Sequence, residues 1–190
     1  MSEDLKDRFL EHVKDHSMSV ELDSGLHRCI KFSRGNSSVF YFRITTWPGH
    51  LCISGDMGTY VFARLPDMFE FFRGDELKIN PGYWTEKLQS ISCFGSKEGS
   101  VREFDAEGTL ECVKDRLDED EDQINKYSDQ LEELANASDD NEALRIMENI
   151  DCLSDSWECL SAKLTFHIKW CLFAIRWAVM QYDKPKEMAA

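Results

Sequence analysis

The sequence predicts an α+β protein: an antiparallel β-meander with short helices, followed by an acidic antiparallel helical hairpin. Three observations lead there. Apolar residues alternate with a period of two between Ser19 and Arg64. From Leu110 onward they fall instead on a heptad grid. Near residue 103, between these stretches, the charge balance changes abruptly.

Leu5, Phe9 and Val13 recur at helical spacing and predict an amphipathic helix over residues 3–16. The alternating runs then follow: Val20 and Leu22, Cys29-Ile30-Lys31-Phe32, Val39 to Ile44, Leu51-Cys52-Ile53 and Tyr60-Val61-Phe62. Turn residues divide them, Asp23-Ser24-Gly25 and Arg34-Gly35-Asn36-Ser37 among them, which predicts four or five antiparallel strands. Gly55-Asp56-Met57-Gly58 joins two of these runs. Its glycines suit a hairpin, because they take positive φ without a Cβ clash. No Gly-Lys-Ser/Thr follows it, so it is not a phosphate-cradling loop, and Asp56 has no catalytic partner nearby in sequence. Pro66 suits a first helical position, with Met68, Phe69 and Phe72 as the inward face of a short helix. Asn80-Pro81-Gly82 is a turn signal, and Tyr83-Trp84 to Leu88 and Ile91 predict a second short helix.

Residues 1–102 hold 14 acids and 13 bases, residues 103–158 hold 20 and 4, and residues 159–190 hold 2 and 5. The middle segment alone therefore accounts for the chain's net charge of −14. It is not a structureless tail. Leu110, Val113, Leu117, Ile124, Tyr127, Leu131 and Leu134 occupy heptad a and d positions, with Asp120 breaking the stripe. After a polar loop at Asn136 to Asn141, Leu144, Met147, Leu153, Trp157, Leu160, Leu164, Cys171 and Ile175 recur at three- and four-residue steps, a second arm that is long or broken near Asp151. The expected division is residues 1–102 as the sheet region and 103–190 as the helical hairpin, packed as one unit.

The composition, 42% hydrophobic and 12% aromatic over 190 residues, suffices for a packed core. The negative charge disfavours direct binding to nucleic acid or an anionic membrane and is compatible with a basic protein partner. Leu160 to Tyr182 is the most apolar stretch, yet Lys163, His167, Lys169 and Arg176 interrupt it, so it reads as a buried or half-buried helix and not a membrane span. Seven scattered cysteines and no secretory leader read as reduced thiols in the cytoplasm.

Glu111, Asp115, Asp118, Glu119, Asp122, Asp129, Glu132 and Glu133 are the candidate partner-binding residues. With Leu110 at a, they fall on outer heptad positions b, c and f. Steps of three and four residues place them about 4.5–6 Å apart along a helix, close to the spacing of phosphates on a strand. Such a row suits the Lys/Arg groove of a nucleic-acid-binding protein. A solvated helix face is the ordinary alternative, although such faces usually mix signs to form i,i+4 pairs and this one has few bases to pair with. Asp118, Asp120, Asp122 and Asp129 resemble the start of a calcium loop, but Gln123 stands where the glycine belongs and the final glutamate is missing. His12 with His16, and His167 with Cys171, are spaced i,i+4; neither pair sits in an HExxH or CxxC pattern, so no metal site or cofactor is expected. No Gly-x-Ser-x-Gly or other catalytic arrangement is present, so no catalytic residue is assigned.

The stretch CISGDMGTYVFARLPDMFEFFRG, with INPGYWTEKLQSI, VREFD and FHIKWCLFAIRWAVMQYD, resembles a family of phage- and prophage-encoded accessory proteins. The resemblance runs from Leu51 to Asp183. Some members of that family look like anti-CRISPR proteins, inhibitors of bacterial type I systems. The resemblance implies a stoichiometric, non-enzymatic inhibitor that acts in the host cytoplasm, binding a basic nucleic-acid-binding host protein or CRISPR surveillance complex and blocking DNA access. It carries over no catalytic residues. The competing reading is a structural or regulatory interaction module that binds through aromatics such as Trp47 or Tyr83; a hydrolase is third. A homo-oligomer is compatible with either of the first two.

Overall fold

The computed structural model describes residues 2–92, 101–117 and 120–187. The chain divides into two compact units, residues 1–101 with 165–190, and residues 102–164.

The first unit is built on a six-stranded antiparallel meander whose strands pair in chain order. They are β1 (Ser17–Ser24), β2 (His27–Ser33), β3 (Phe42–Trp47), β4 (His50–Gly55), β5 (Gly58–Ala63) and β6 (Leu88–Ser92). Strict alternation puts Ile30, Phe32, Phe42, Ile44, Leu51, Ile53, Tyr60 and Phe62 on one fully buried face. Three helices share this unit's first half: α1 (Ser2–Val13), α2 (Met68–Phe72) and α3 (Pro81–Thr85). The long α8 (Phe166–Glu187) completes it. The Trp170 indole is fully buried, with its ring edge-on to Phe9 at 5.2 Å and to Phe42 at 5.7 Å.

Several elements differ from their sequence-based expectation. The first helix ends at Val13, and His16 follows it, bonding back through its N–H to the Val13 carbonyl. Asp67, not Pro66, opens α2: its carboxylate accepts the Phe69 N–H at 2.9 Å. Asn80 caps α3 with Pro81 in the first turn, but that helix stops at Thr85. Leu88 to Ser92, expected as helix, is the sixth strand, paired with β5. Leu88 and Ile91 suited either period, and the open edge of β5 decides between them.

The Gly55–Gly58 segment is a hairpin. Gly55 pairs with Gly58 across a two-residue loop, at φ +156° and +102°. Asp56 serves the fold: its carboxylate accepts the Phe40 N–H at 2.8 Å, and its own N–H donates to the Tyr41 carbonyl at 3.1 Å. Phe40 needs that support, since it holds φ +56°, a conformation rare outside glycine.

The second unit comprises a two-stranded ribbon, β7 (Arg102–Phe104) with β8 (Ala162–Leu164), and four helices between them. These are α4 (Ala106–Arg116), α5 (Glu121–Lys126), α6 (Ser128–Ala135) and α7 (Asp140–Met147), followed by a 3₁₀ turn at Ser156–Cys159. The helical part is thus several short helices and not two continuous arms. The expected grouping of residues 103–190 also divides, since α8 belongs to the sheet unit. No helix among the described residues is long and apolar enough to cross a membrane.

Gly55→Ala should destabilise the sheet unit by about 1–3 kcal/mol or more. An alanine there takes an unfavourable φ, and its Cβ meets the backbone at Tyr41 and lies 2.8 Å from the Phe42 Cα. Asp56→Asn keeps an acceptor for Phe40 and should stay within about 0.5 kcal/mol of the parent. Urea titration of the three proteins checks both values.

Candidate functional site

The acidic unit begins with its core. Val113, Leu117, Tyr127, Leu131 and Leu134 are buried in one cluster, with Leu110 and Ile124 packed against it. All seven heptad residues therefore point inward, although no single helix carries them. The break falls at Asp120, whose extended backbone (φ −64°, ψ 113°) turns its carboxylate onto the N–H groups of Asp122 and Gln123. A carboxylate that caps a new helix competes with continuation of the old one. Asp120 therefore acts as a helix cap. A second interruption at Tyr127 (φ −107°, ψ 21°) separates α5 from α6.

These breaks redistribute the predicted acids. Glu111 and Asp115 lie on α4, Asp122 on α5, and Asp129, Glu132 and Glu133 on α6. All six are exposed. Asp118 and Glu119 lie outside the described residues. The acids thus do not form one straight row along one axis. Among the described residues, none of the six is in an ion pair. Two of the segment's four bases are held elsewhere: Arg116 pairs with Glu158, and the Lys126 ammonium donates to the Tyr127 hydroxyl at 2.7 Å.

Asp129, Glu132 and Glu133 line an open groove of about 590 Å³ between α6 and α7, with Asn136, Glu142 and Ile146. Glu142 is fixed there as part of the α7 start. Asp139 caps the Glu142 N–H at 2.9 Å, while the Glu142 carboxylate accepts from the N–H and hydroxyl of Ser138 at 2.8 and 2.7 Å. Those two donors hold the Glu142 carboxyl below the usual range. Asp129, Glu132 and Glu133 have no such anchors among the described residues. The groove is a concentration of negative charge with a single apolar floor residue, suited to cationic side chains and not to an apolar ligand.

Trp157 was expected on the inward stripe, yet it is 62% exposed. The cause is local. Asp155 adopts a left-handed conformation (φ 49°), and the Arg116 guanidinium holds the Ser154 and Asp155 carbonyls at 2.8 and 3.3 Å. Cys159 takes the buried position of the turn instead. The signal available in the sequence was composition: Ser154-Asp155-Ser156-Trp157-Glu158 sets a lone indole among polar residues.

The other candidates lie in the sheet unit. Trp47 is half-buried and stacks on the His50 ring at 5.1 Å. Tyr83 is 41% exposed, with the Lys87 ammonium 4.5 Å from its ring centre. The His12 ring lies flat on Phe40 at 3.7 Å, and its Nδ1 accepts the Trp170 indole N–H. His16 Nε2 bonds the Phe40 carbonyl at 3.1 Å. On α8, Cys171 is buried and donates to the Met57 carbonyl, while the His167 ring lies 6.0 Å from that of Phe166. No cluster of three metal-ligating side chains occurs among the described residues. No protein-family model, curated protein or solved structure matches the chain.

Burial, above all, lowers the pKa of both His12 and His16 from their ordinary 6.5. The unfolded chain therefore takes up protons first as pH falls through that value. Stability conferred by the neutral imidazoles is complete above it and is lost on acidification. Urea midpoints should fall between about pH 7 and 5.5, and the fall should shrink in a His12→Gln/His16→Gln variant.

Proposed function

We propose that this protein is a non-catalytic, phage-encoded inhibitor that acts in the host cytoplasm. In this reading residues 102–164 place carboxylates into the basic nucleic-acid groove of a defence complex of the CRISPR surveillance type. The observation that carries it is the state of Glu111, Asp115, Asp122, Asp129, Glu132 and Glu133: exposed, without ion pairs among the described residues, and carried on helices whose apolar faces are already used by their own core.

Two features support a binding role over a plain solvated face. A solvated helix usually pairs its acids with bases at i,i+4, and here the bases are too few. The exposed Trp157 adds an aromatic of the kind enriched at interface hot spots, flanked by Asp155 and Glu158. The competing reading, docking through aromatics of the sheet unit, rests on Tyr83, because Trp47 is already half-buried against His50.

The test is competition for DNA on a purified type I surveillance complex. The wild-type chain should displace DNA. Reversing Asp115, Asp122, Asp129 and Glu132 to Lys should leave the protein folded, since none of the four enters the core, and should abolish displacement. Steering by clustered charge is worth on the order of 10- to 1,000-fold in association rate. A folded variant that displaces DNA as well as the parent would assign the acids to solvation. If neither protein displaces DNA, the partner is of another class, and a pull-down from a host with active defence systems is the next measurement.

A further inference from the structure

Cys112 and Cys159 stand 47 positions apart in sequence, yet their sulfurs lie 2.8 Å from each other. One side of α4 is bonded along the segment from Ser154 to Ser161, and this sets the contact. The Asp105 N–H donates to the Ser161 carbonyl at 2.9 Å, and the Thr109 hydroxyl accepts the Ser161 N–H at 3.0 Å. At the far end of α4, Arg116 holds the Ser154 and Asp155 carbonyls and pairs with Glu158. Gly108 permits this approach: a Cβ there would come within 2.6 Å of the Ser161 hydroxyl. The two sulfurs are thus fixed from both sides, and a disulfide bond length of about 2.05 Å is less than about 1 Å of movement away.

The other described cysteines are placed differently. Cys29 donates to Glu21, Cys52 to the Ile53 carbonyl and Cys171 to the Met57 carbonyl, and Cys152 is exposed. A metal held by the Cys112–Cys159 pair would need further ligands, and no group of three is present among the described residues.

We propose that Cys112 and Cys159 form a dithiol that a low-molecular-weight disulfide converts into an intrachain disulfide, tying α4 to the 3₁₀ turn. Cys112 is half-buried and Cys159 is buried, so Cys112 meets the oxidant. Its thiolate attacks one sulfur of the oxidant; the mixed disulfide forms and the first small thiolate leaves, taking up a proton. Cys159 then loses its proton and attacks the Cys112 sulfur, and the second small thiolate departs. Two protein thiols are oxidised, with loss of two hydrogens, and one small disulfide is reduced to two thiols. Burial, then the hydrogen bond with Cys112, pushes the Cys159 thiol up to about 12, which keeps it inert until Cys112 has reacted. Capping Cys112 removes that hydrogen bond, and the positive charge of Arg116 favours the Cys159 thiolate. The bridge fixes the turn that presents Trp157 and Glu158, whatever the acidic surface binds.

The experiment incubates the full-length chain with oxidised glutathione, native and in denaturing urea, and maps disulfides by mass spectrometry after trypsin without reduction. Cys152→Ser leaves the peptide 146–163 with Cys159 as its single thiol, so its link to peptide 103–114 reports the pair. Fragmentation of the same product from the wild-type chain checks that the substitution has not created it. The linked peptide should exceed its yield in urea by about tenfold or more, because the fold holds the thiols at high effective concentration. In Cys159→Ala, peptide 103–114 should instead accumulate as the glutathione mixed disulfide. Absence of the link in the native chain, or equal yields in native and urea samples, would overturn the proposal.

Discussion

The sheet unit depends on the seating of α8. Six strands in a meander bury one face, and α8 supplies Trp170, Phe173 and Ile175 to the core of that unit. Each such side chain contributes roughly 1.5–3 kcal/mol on burial. Polar contacts set the helix in place along its length. The Trp170 indole donates to His12, and Arg176 donates to the Phe72 and Glu76 carbonyls at 2.5 and 2.8 Å. Tyr182 donates to Asp23, and its ring faces the Arg28 guanidinium at 5.6 Å. Arg28 is itself buried and bidentate on Asp67, at 2.8 and 2.9 Å. Loss of Asp67 would leave the buried Arg28 guanidinium with Asp23 alone, 4.0 Å from its Nε, and removing one partner of a buried pair is strongly destabilising.

The chain leaves the first unit after Val101 and rejoins it at Thr165, whose N–H donates to the Val101 carbonyl at 2.9 Å, so residues 102–164 must begin and end close together. The antiparallel pairing of β7 with β8 meets that requirement: Arg102 faces Leu164 and Phe104 faces Ala162. Between those strands the chain carries its own core, so the acidic residues need supply no packing. This separates two demands that usually conflict. Charge can accumulate on the outside because Val113, Leu131, Leu134 and Met147 hold the inside.

Period-two alternation was enough to read the meander from sequence, and the inward residues of the acidic unit were legible from the heptad grid. The breaks between its helices were not, because the stripe reports which side faces the core and not whether the backbone is continuous. Asp120 was the visible sign: an acid at a d position is a poor core residue and a good cap. Leu88 and Ile91 fit helix and strand alike, and only pairing with β5 distinguishes them. The register of Trp157 was misread because the stepping pattern assumes an unbroken helix, and a left-handed Asp155 ends that assumption. The acids of the candidate site were legible as a composition, whereas their spread over three helices and the groove between α6 and α7 required the fold. The contact between Cys112 and Cys159 had no signal in spacing at all.

The central functional claim is electrostatic, so it is tested most directly by salt. The measurement is the equilibrium affinity of the full-length chain for a type I surveillance complex, across a series of salt concentrations. Carboxylates that enter a Lys/Arg groove predict affinity that falls steeply and continuously as salt screens the charges, over a Debye length of about 10 Å at 0.1 M. Affinity that stays flat across the series would contradict the account and move the binding surface to apolar contacts.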